Sequence, residues 1–394
     1  MILKFHNEVV NMKNTKFIGE NLKNARIYRK MTITELSEKI NVTKQTISQY
    51  ERGSIYPEST NLINLSTVLK VPTEYFYTNI YDNKQETTVY FRALLKANKK
   101  DLAAQPIKLI FLNKIYEALK TKINFPVLNI PNNIEFPKTL NDEKAEITEI
   151  EEITQELRNF WGLNNDPIED FQYTLEKNGL LVIPADVYSN SIDAYSQGKL
   201  IIVSRRNQSY ARVLFDMAHE LGHFLLHPTT ENLDTISTEE FKTYERQANM
   251  FAGAFLLPRE EFIRDISKYK IDLHYYCYLK ENKWKVSVQA MIFRAHQLEI
   301  LSFNQYQYLM KQVSKNGWRN GEPGDTEYIT KKNILRKAIL LLIEKKSYMG
   351  PDIMNLLRDN EVSLEPNEIE DLLSLDPGTL KFPDRIKEDI IFIK

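Results

Sequence analysis

Cysteine is almost missing from this chain: Cys277 stands alone among 394 residues. A single thiol excludes an internal disulfide framework and any cysteine-based zinc site. Long apolar runs are missing too. No stretch approaches the roughly 18 apolar residues of a membrane span, and the first residues, Met1 to Lys16, are polar rather than signal-like. The expectation is a soluble, cytoplasmic protein with no membrane partner. Neither charge is in excess, with 52 basic and 53 acidic residues, so no overall field advertises a partner. Histidine is scarce as well, yet three of the six fall within nine positions.

Those three stand in Met217-Ala218-His219-Glu220-Leu221-Gly222-His223-Phe224-Leu225-Leu226-His227, which contains the pattern H-E-x-x-H. Ala211, Leu214, Phe215, Ala218, Leu221, Gly222 and Leu225 recur at three- and four-residue spacing, which predicts a helix with one buried face. On it His219 and His223 lie one turn apart on one side, their Cβ atoms about 5–6 Å apart. Two neutral imidazoles so placed can grip a divalent metal, and Glu220 can reach a water bound to it. A catalytic metal of this type takes three protein ligands and keeps one position open. His227 lies about 12 Å beyond His219 along a straight helix, and Pro228 closes the helix there, so it reads as a supporting or helix-end residue. Downstream, Ser237 with Glu240 reads as a capping box that opens a second helix, ended by Pro258. Phe241, Ala248, Phe251, Ala252 and Phe255 form its apolar stripe, and small residues at Ala248, Ala252, Gly253 and Ala254 allow close packing on the first helix. Glu245 lies near that stripe and can complete a His-His-Glu set. From chemistry alone a solvated Glu245 reads equally well, and Asp234, Glu239 and Glu240 compete.

The run His219-Glu220-Leu221-Gly222-His223, followed by Glu245-x-Gln247-Ala248-Asn249-x-Phe251-Ala252-x-x-x-x-Leu257-Pro258, closely resembles the ImmA/IrrE family of metallopeptidases, over roughly residues 88–325. The resemblance implies His219, His223 and Glu245 as metal ligands and Glu220 as general base. Zn²⁺ is the cofactor expected for such ligands, with Mn²⁺ the second candidate. Gln247 stands where many members have Glu, which leaves the ligand assignment intact. The resemblance further implies cleavage of a repressor protein to release gene expression. For the group that steadies the oxyanion, Tyr210, His227 and Arg294 are the residues weighed, although a structural ion pair is the simpler reading of Arg294.

A second pattern lies at residues 17–77. Leu22, Ala25, Ile27 and Tyr28 suggest one helix, residues 34–40 a short second one, Asn41-Val42 a turn, and Thr43 the cap of a third helix, Lys44 to Arg52. Gly53 ends it, and residues 61–69 form a fourth. Two short helices joined by a tight turn in a small helical unit is helix-turn-helix architecture. Ile47 and Tyr50 point inward on the third helix, while Lys44, Gln45, Thr46, Ser48 and Gln49 are the candidate contacts to double-stranded DNA. Gln bonds the major-groove edge of adenine, and Lys serves guanine or phosphate. Residues 1–77 hold eleven basic and seven acidic residues, +4, against −5 for the remainder, an asymmetry that suits a phosphate-facing module. The segment also resembles the phage-repressor-like (XRE) helix-turn-helix family, which implies a structural pair between Arg26 and Glu51.

Between the two patterns, Tyr90-Phe91-Arg92-Ala93 precedes a helix over about Lys99 to Thr121. A Pro- and Asn-rich stretch from Phe125 to Pro137 reads as extended. Leu180-Leu181-Val182-Ile183, Ile192-Asp193-Ala194-Tyr195-Ser196 and Leu200-Ile201-Ile202-Val203 read as strands, with a hairpin turn at Gln197-Gly198. A small sheet beside the H-E-x-x-H helix is similar to zincin-like peptidases, whose edge strand holds extended substrate by strand addition. Asp193-Ala194-Tyr195-Ser196 resembles a D-A-F-S stretch of the ImmA/IrrE family and reads as sheet core or cleft lining, without a catalytic role. Residues 311–394 read as helices at Ile334–Lys345, Pro351–Arg358 and Pro366–Leu373, with dimerisation or substrate holding as the roles open to them.

The expected fold class is α+β and predominantly helical. A helix-turn-helix domain (1–77) precedes a helical connector (78–149), a zincin-like metallopeptidase domain with a small sheet (150–310) and a helical C-terminal region (311–394). The expected function is a DNA-binding, zinc-dependent metallo-endopeptidase that cuts a partner protein, a repressor, and acts as a homodimer on paired half-sites. The alternative is an XRE-type transcriptional regulator whose peptidase-like domain senses a metal or ligand without proteolysis.

Overall fold

A four-stranded sheet separates two hydrophobic cores. Its strands are β1 (Tyr90–Phe91), β2 (Leu181–Ala185), β3 (Ala194–Gln197) and β4 (Leu200–Ser204), in the order β1-β3-β4-β2. The chain is seen here in a computed structural model that describes residues 16–80, 90–91, 99–132, 134, 143–185, 193–205, 209–227, 237–319, 321–328, 333–346 and 348–381. β3 and β4 pair antiparallel with Gln197 opposite Leu200. The Gly198-Lys199 turn between them needs the positive φ of Gly198, +54°. β2 runs parallel to β4. Side chains along β4 alternate, as period-two geometry requires: Leu200 and Ile202 enter one core, Ile201 and Val203 the other.

The first core joins regions far apart in sequence. It holds α1 (Gly19–Tyr28), α2 (Ile33–Ile40), α3 (Lys44–Glu51) and α4 (Ser59–Leu69), then α5 (Lys99–Lys120), one face of the sheet, and three C-terminal helices. In the helix-turn-helix unit, Thr32 and Glu35 form a capping box on α2, and Asn41 closes it at φ +57°. Thr43 accepts from Thr46 N at the start of α3. Arg26 Nε and Nη2 reach the Glu51 carboxylate at 2.5 and 2.9 Å, a bidentate clamp from α1 to α3. A further tie runs to the far end of the chain, where Glu368 accepts from Tyr28 Oη at 2.6 Å and pairs with Arg29 at 2.7 Å. Lys30 pairs with Asp101 of α5 at 2.7 Å. The helix-turn-helix unit is therefore docked on α5 and the C-terminal helices.

The second core packs against the other sheet face. It contains α6 (Glu143–Phe160), α7 (Phe171–Lys177), α8 (Tyr210–Leu226), α9 (Thr238–Leu256), α10 (Arg259–Ile266), α11 (Leu273–Leu279), α12 (Val288–Gln297) and α13 (Phe303–Lys315). The C-terminal helices are α14 (Ile334–Lys346), α15 (Gly350–Asp359) and α16 (Pro366–Leu373), close to the sequence expectation. The stretch from Phe125 to Pro131 forms neither helix nor strand, residue 133 and residues 135–137 lie outside the described residues, and Asn129 bonds Asn178 at 2.8 Å. A Cβ on Gly179 would lie 2.5 Å from the backbone of Val127 and Leu128, so only glycine lets that stretch cross. No helix among the described residues is long and apolar enough to cross a membrane.

Candidate metal centre

α8 and α9 cross closely because Gly222 has no side chain. A Cβ there would lie 3.1 Å from Phe251 Cδ1 and 3.2 Å from Ala248 Cα. Of the small residues expected to permit this approach, Gly253 has another neighbour, Arg294 of α12. Ser209 caps the start of α8, and α9 opens on the Ser237–Glu240 capping box. Pro258 is where α9 has ended and α10 begins, whereas Pro228 and Asp234 lie outside the described residues.

The crossing brings His219, His223 and Glu245 together, with one ligand-capable atom of each within 4.8 Å of the others. His219 Nε2 and His223 Nε2 are 3.0 Å apart. Glu245 Oε1 lies 3.2 Å from His223 Nε2, and Oε2 lies 3.6 Å from His219 Nε2. Both imidazoles are buried, while the Glu245 side chain is 18% exposed at the solvent edge of the cluster. Glu245 Oε1 itself is buried and accepts no hydrogen bond of proper geometry. Burial opposes ionisation of Glu245, but the two facing imidazoles outweigh it and hold the carboxyl well below the usual carboxylate range. An orphaned carboxylate oxygen beside two converging ring nitrogens is a donor set that suits a divalent cation. Glu239 and Glu240, the other competitors, belong to the exposed first turn of α9 and are not brought to the cluster.

Of the groups behind these residues, His227 was expected as a support, whereas Ser196, Asn249 and Glu146 were not. Ser196 Oγ donates to Glu220 Oε2 at 2.6 Å, so the D-A-Y-S stretch touches the candidate base. Strand alternation does this: Tyr195 points into the first core and bonds Gln105 of α5, and Ser196 points at α8. His219 Nδ1 lies 3.1 Å from Asn249 Oδ1, and His223 Nδ1 lies 2.9 Å from His227 Nδ1. His227 continues to Gln247 at 3.0 Å, and Gln247 to Glu146 of α6 at 2.7 Å. His227 is thus both the end of α8 and a support for His223. Burial, with His223 beside it, pushes its imidazole well below the usual histidine range. Asn249 stands one turn after Glu245 on α9, a spacing that signals a shared face. Glu146 has no local signal.

Three residues weighed for the oxyanion are committed elsewhere. Arg294 is buried in an ion pair with Glu151, its Nη2 2.9 Å from Oε2, and His227 is in the chain just described. Tyr210 bonds the Glu169 carbonyl at 3.3 Å and lines a cleft of about 1450 Å³ with Glu176, Met217 and Tyr328. The strand next to α8 is partly covered: β1 pairs with Tyr195 and Ser196 of β3, so part of the edge offered for strand addition there is taken by the chain itself.

On α3, Lys44 and Gln45 are exposed and Thr46, Ser48 and Gln49 half-buried, around the buried Ile47 and Tyr50. Thr46 Oγ1 lies 2.8 Å from Thr43 Oγ1.

Comparison with known families agrees with both patterns. Residues 175–296 match the IrrE N-terminal-like domain, and residues 22–76 match the helix-turn-helix family. The uncharacterized HTH-type transcriptional regulator YqaE of Bacillus subtilis (strain 168) is 38% identical over 57 residues, which are 14% of this chain and 49% of that relative. The chain spans about half the length of this curated relative.

Proposed function

Starting from a chain that joins an XRE-type helix-turn-helix domain to an IrrE/ImmA-like peptidase domain, we propose a DNA-bound metallo-endopeptidase that cuts a partner protein, a transcriptional repressor, in the cytoplasm. The observation that carries this reading is the convergence of His219, His223 and Glu245 beside Glu220. His219 Nε2, His223 Nε2 and a Glu245 oxygen would hold the ion. Two imidazoles and a carboxylate suit Zn²⁺, with Mn²⁺ the alternative. When bound, such an ion acts as a Lewis acid that polarises the scissile carbonyl and acidifies water. Glu220 takes the proton of the attacking water on its carboxylate and returns it to the leaving amine. Ser196 Oγ orients that carboxylate, and Asn249 orients the His219 ring.

The helix-turn-helix unit supplies the address. Lys44, Gln45, Thr46, Ser48 and Gln49 enter the major groove, and a homodimer spans two half-sites. The enzyme then acts on proteins held at the same operator. Glu220→Gln tests the reading: cleavage of the repressor falls about 10²–10⁴-fold, with metal content and operator binding unchanged. Unaltered gene control in Glu220→Gln would overturn it and leave the alternative, a regulator whose peptidase-like domain senses a metal or ligand.

A further inference from the structure

The hydrogen-bond chain behind His223 has a direction, and the direction can be read from its far end. Glu146 is buried, and its Oε2 pairs with the Arg246 guanidinium. Its Oε1 lies 2.7 Å from the side-chain amide of Gln247. A carboxylate oxygen only accepts. An amide oxygen in that position would confront it, so the amide nitrogen must stand there and Gln247 Oε1 must face the other way. Gln247 Oε1 lies 3.0 Å from His227 Nε2, which must therefore carry a proton. His227 is 1% exposed, and a neutral imidazole carries one proton, so its Nδ1 is an acceptor. The partner 2.9 Å from that atom is His223 Nδ1, which must donate. His223 Nε2 is left as a bare lone pair aimed at His219 and Glu245.

We propose that Glu146, Gln247 and His227 form a positioning relay that fixes His223 in its Nδ1–H tautomer and so presents Nε2 to a divalent metal. This rests on the metallopeptidase reading above. The relay also gives Gln247 a reason. A glutamate at 247 would set one carboxylate against another at 2.7 Å, whereas an amide links an acceptor to an acceptor by offering an oxygen at one end and a nitrogen at the other. The two imidazoles are supported differently: His219 faces the amide of Asn249, His223 a chain that ends in a carboxylate.

The test is Zn²⁺ affinity of the full chain, measured by competition with a chromophoric chelator, together with ¹⁵N shifts of labelled histidines in the metal-free protein. His227→Ala removes the acceptor, and affinity falls about 10- to 100-fold. His227→Asn sets an amide oxygen near the lost Nδ1 and recovers most of that loss, a rescue that mere packing does not predict. Glu146→Gln, nearly isosteric, removes the group that sets the direction. In it affinity falls about tenfold, and the His223 resonances change from one tautomer to a mixture. Native protein that binds Zn²⁺, with His227→Ala and Glu146→Gln binding equally well, overturns the relay alone. Native protein that binds no Zn²⁺ overturns the metallopeptidase reading and the relay with it.

Discussion

The two candidate functional surfaces of this chain are built in opposite ways. At the α8–α9 crossing His219, His223 and Glu220 are buried, and each has a partner: Asn249 for His219, His227 for His223, Ser196 for Glu220. On α3 the groups that would meet DNA lie open, with Lys44 and Gln45 exposed to solvent. The difference follows from what each surface must do. Buried polar groups have to be satisfied inside the fold, so their partners set the geometry of the candidate metal centre. A recognition helix keeps its side chains hydrated and mobile until the groove replaces the water. The first surface should break sharply when one residue is removed, the second gradually.

The sharpest break is expected at Glu245. Native protein carries about one Zn²⁺ per chain, the stoichiometry of a single catalytic site, measured by plasma mass spectrometry. Glu245→Ala falls to background. Full occupancy in Glu245→Ala would place the metal elsewhere or reduce Glu245 to a bystander. The matching break in the helix-turn-helix unit is structural. Glu51→Ala leaves the Arg26 guanidinium, 12% exposed, without its clamp, and should cost about 3 kcal/mol, the low end for removing one partner of a buried pair. Chemical denaturation measures it, with operator binding lost and metal content unchanged. A cost below about 1 kcal/mol, the value of an exposed pair, would mean that the clamp is solvated and that the unit is held by its apolar core alone.

The same contrast explains what could be read from the chain in advance. Periodicity exposed α8, α9 and the four helices of the N-terminal unit, because residues that share a helix face lie three or four apart. It put His219 and His223 on one face, while the pairing of Arg26 with Glu51 came from the resemblance to the XRE family. The partners that complete the site were not legible. Ser196 meets Glu220 across 24 residues and Glu146 meets Gln247 across 101, and no local spacing encodes a contact made by packing a strand or a third helix against the crossing. The docking of the helix-turn-helix unit on α5 and α16 was hidden for the same reason. Glu368 looks like any solvated glutamate of a helix first turn until the fold brings Tyr28 and Arg29 to it. Arg294 shows the converse: its buried pairing with Glu151 agrees with the plainer reading of a lone arginine.

A third carboxylate sharpens the comparison from outside both surfaces. Glu176 lines the cleft beside α7, and burial pushes its carboxyl up from 4.5 to about 7, against hydrogen bonds from Gln172 and Ile334 N and the charge of Lys337, while Asp170 adds to the rise. A raised acid favours the folded state while it stays protonated. Its contribution is therefore whole below about pH 4.5 and is lost as pH climbs toward 7, where the unfolded chain already gains from ionising. Denaturation midpoints of the native chain should drop across that interval by the equivalent of about 3 kcal/mol. Glu176→Gln should lose this part of the slope and be the more stable protein at pH 8. Parallel profiles for the two proteins would show that the carboxyl is solvated. The α8–α9 crossing sets its carboxylate against two imidazoles that hold it down, whereas this cleft buries one without enough such partners.

The smallest effect belongs to the exposed helix. Lys44 is a phosphate or guanine contact in this reading, and its loss leaves no buried group unsatisfied. Lys44→Ala should leave the unfolding curve in place, lower the slope of log affinity against log salt by about 0.9, and weaken operator binding by roughly two- to tenfold at physiological salt. The weakening should be nearly uniform across sequences if Lys44 meets phosphate, and confined to one base pair if it meets guanine. Filter binding or fluorescence anisotropy over a salt series separates these cases. An unchanged slope would place Lys44 outside the interface and turn attention to Gln45 and Gln49. A shifted unfolding curve would show that α3 is held more tightly by its own side chains than its exposure implies, and the contrast between the two surfaces would then be one of chemistry rather than of rigidity.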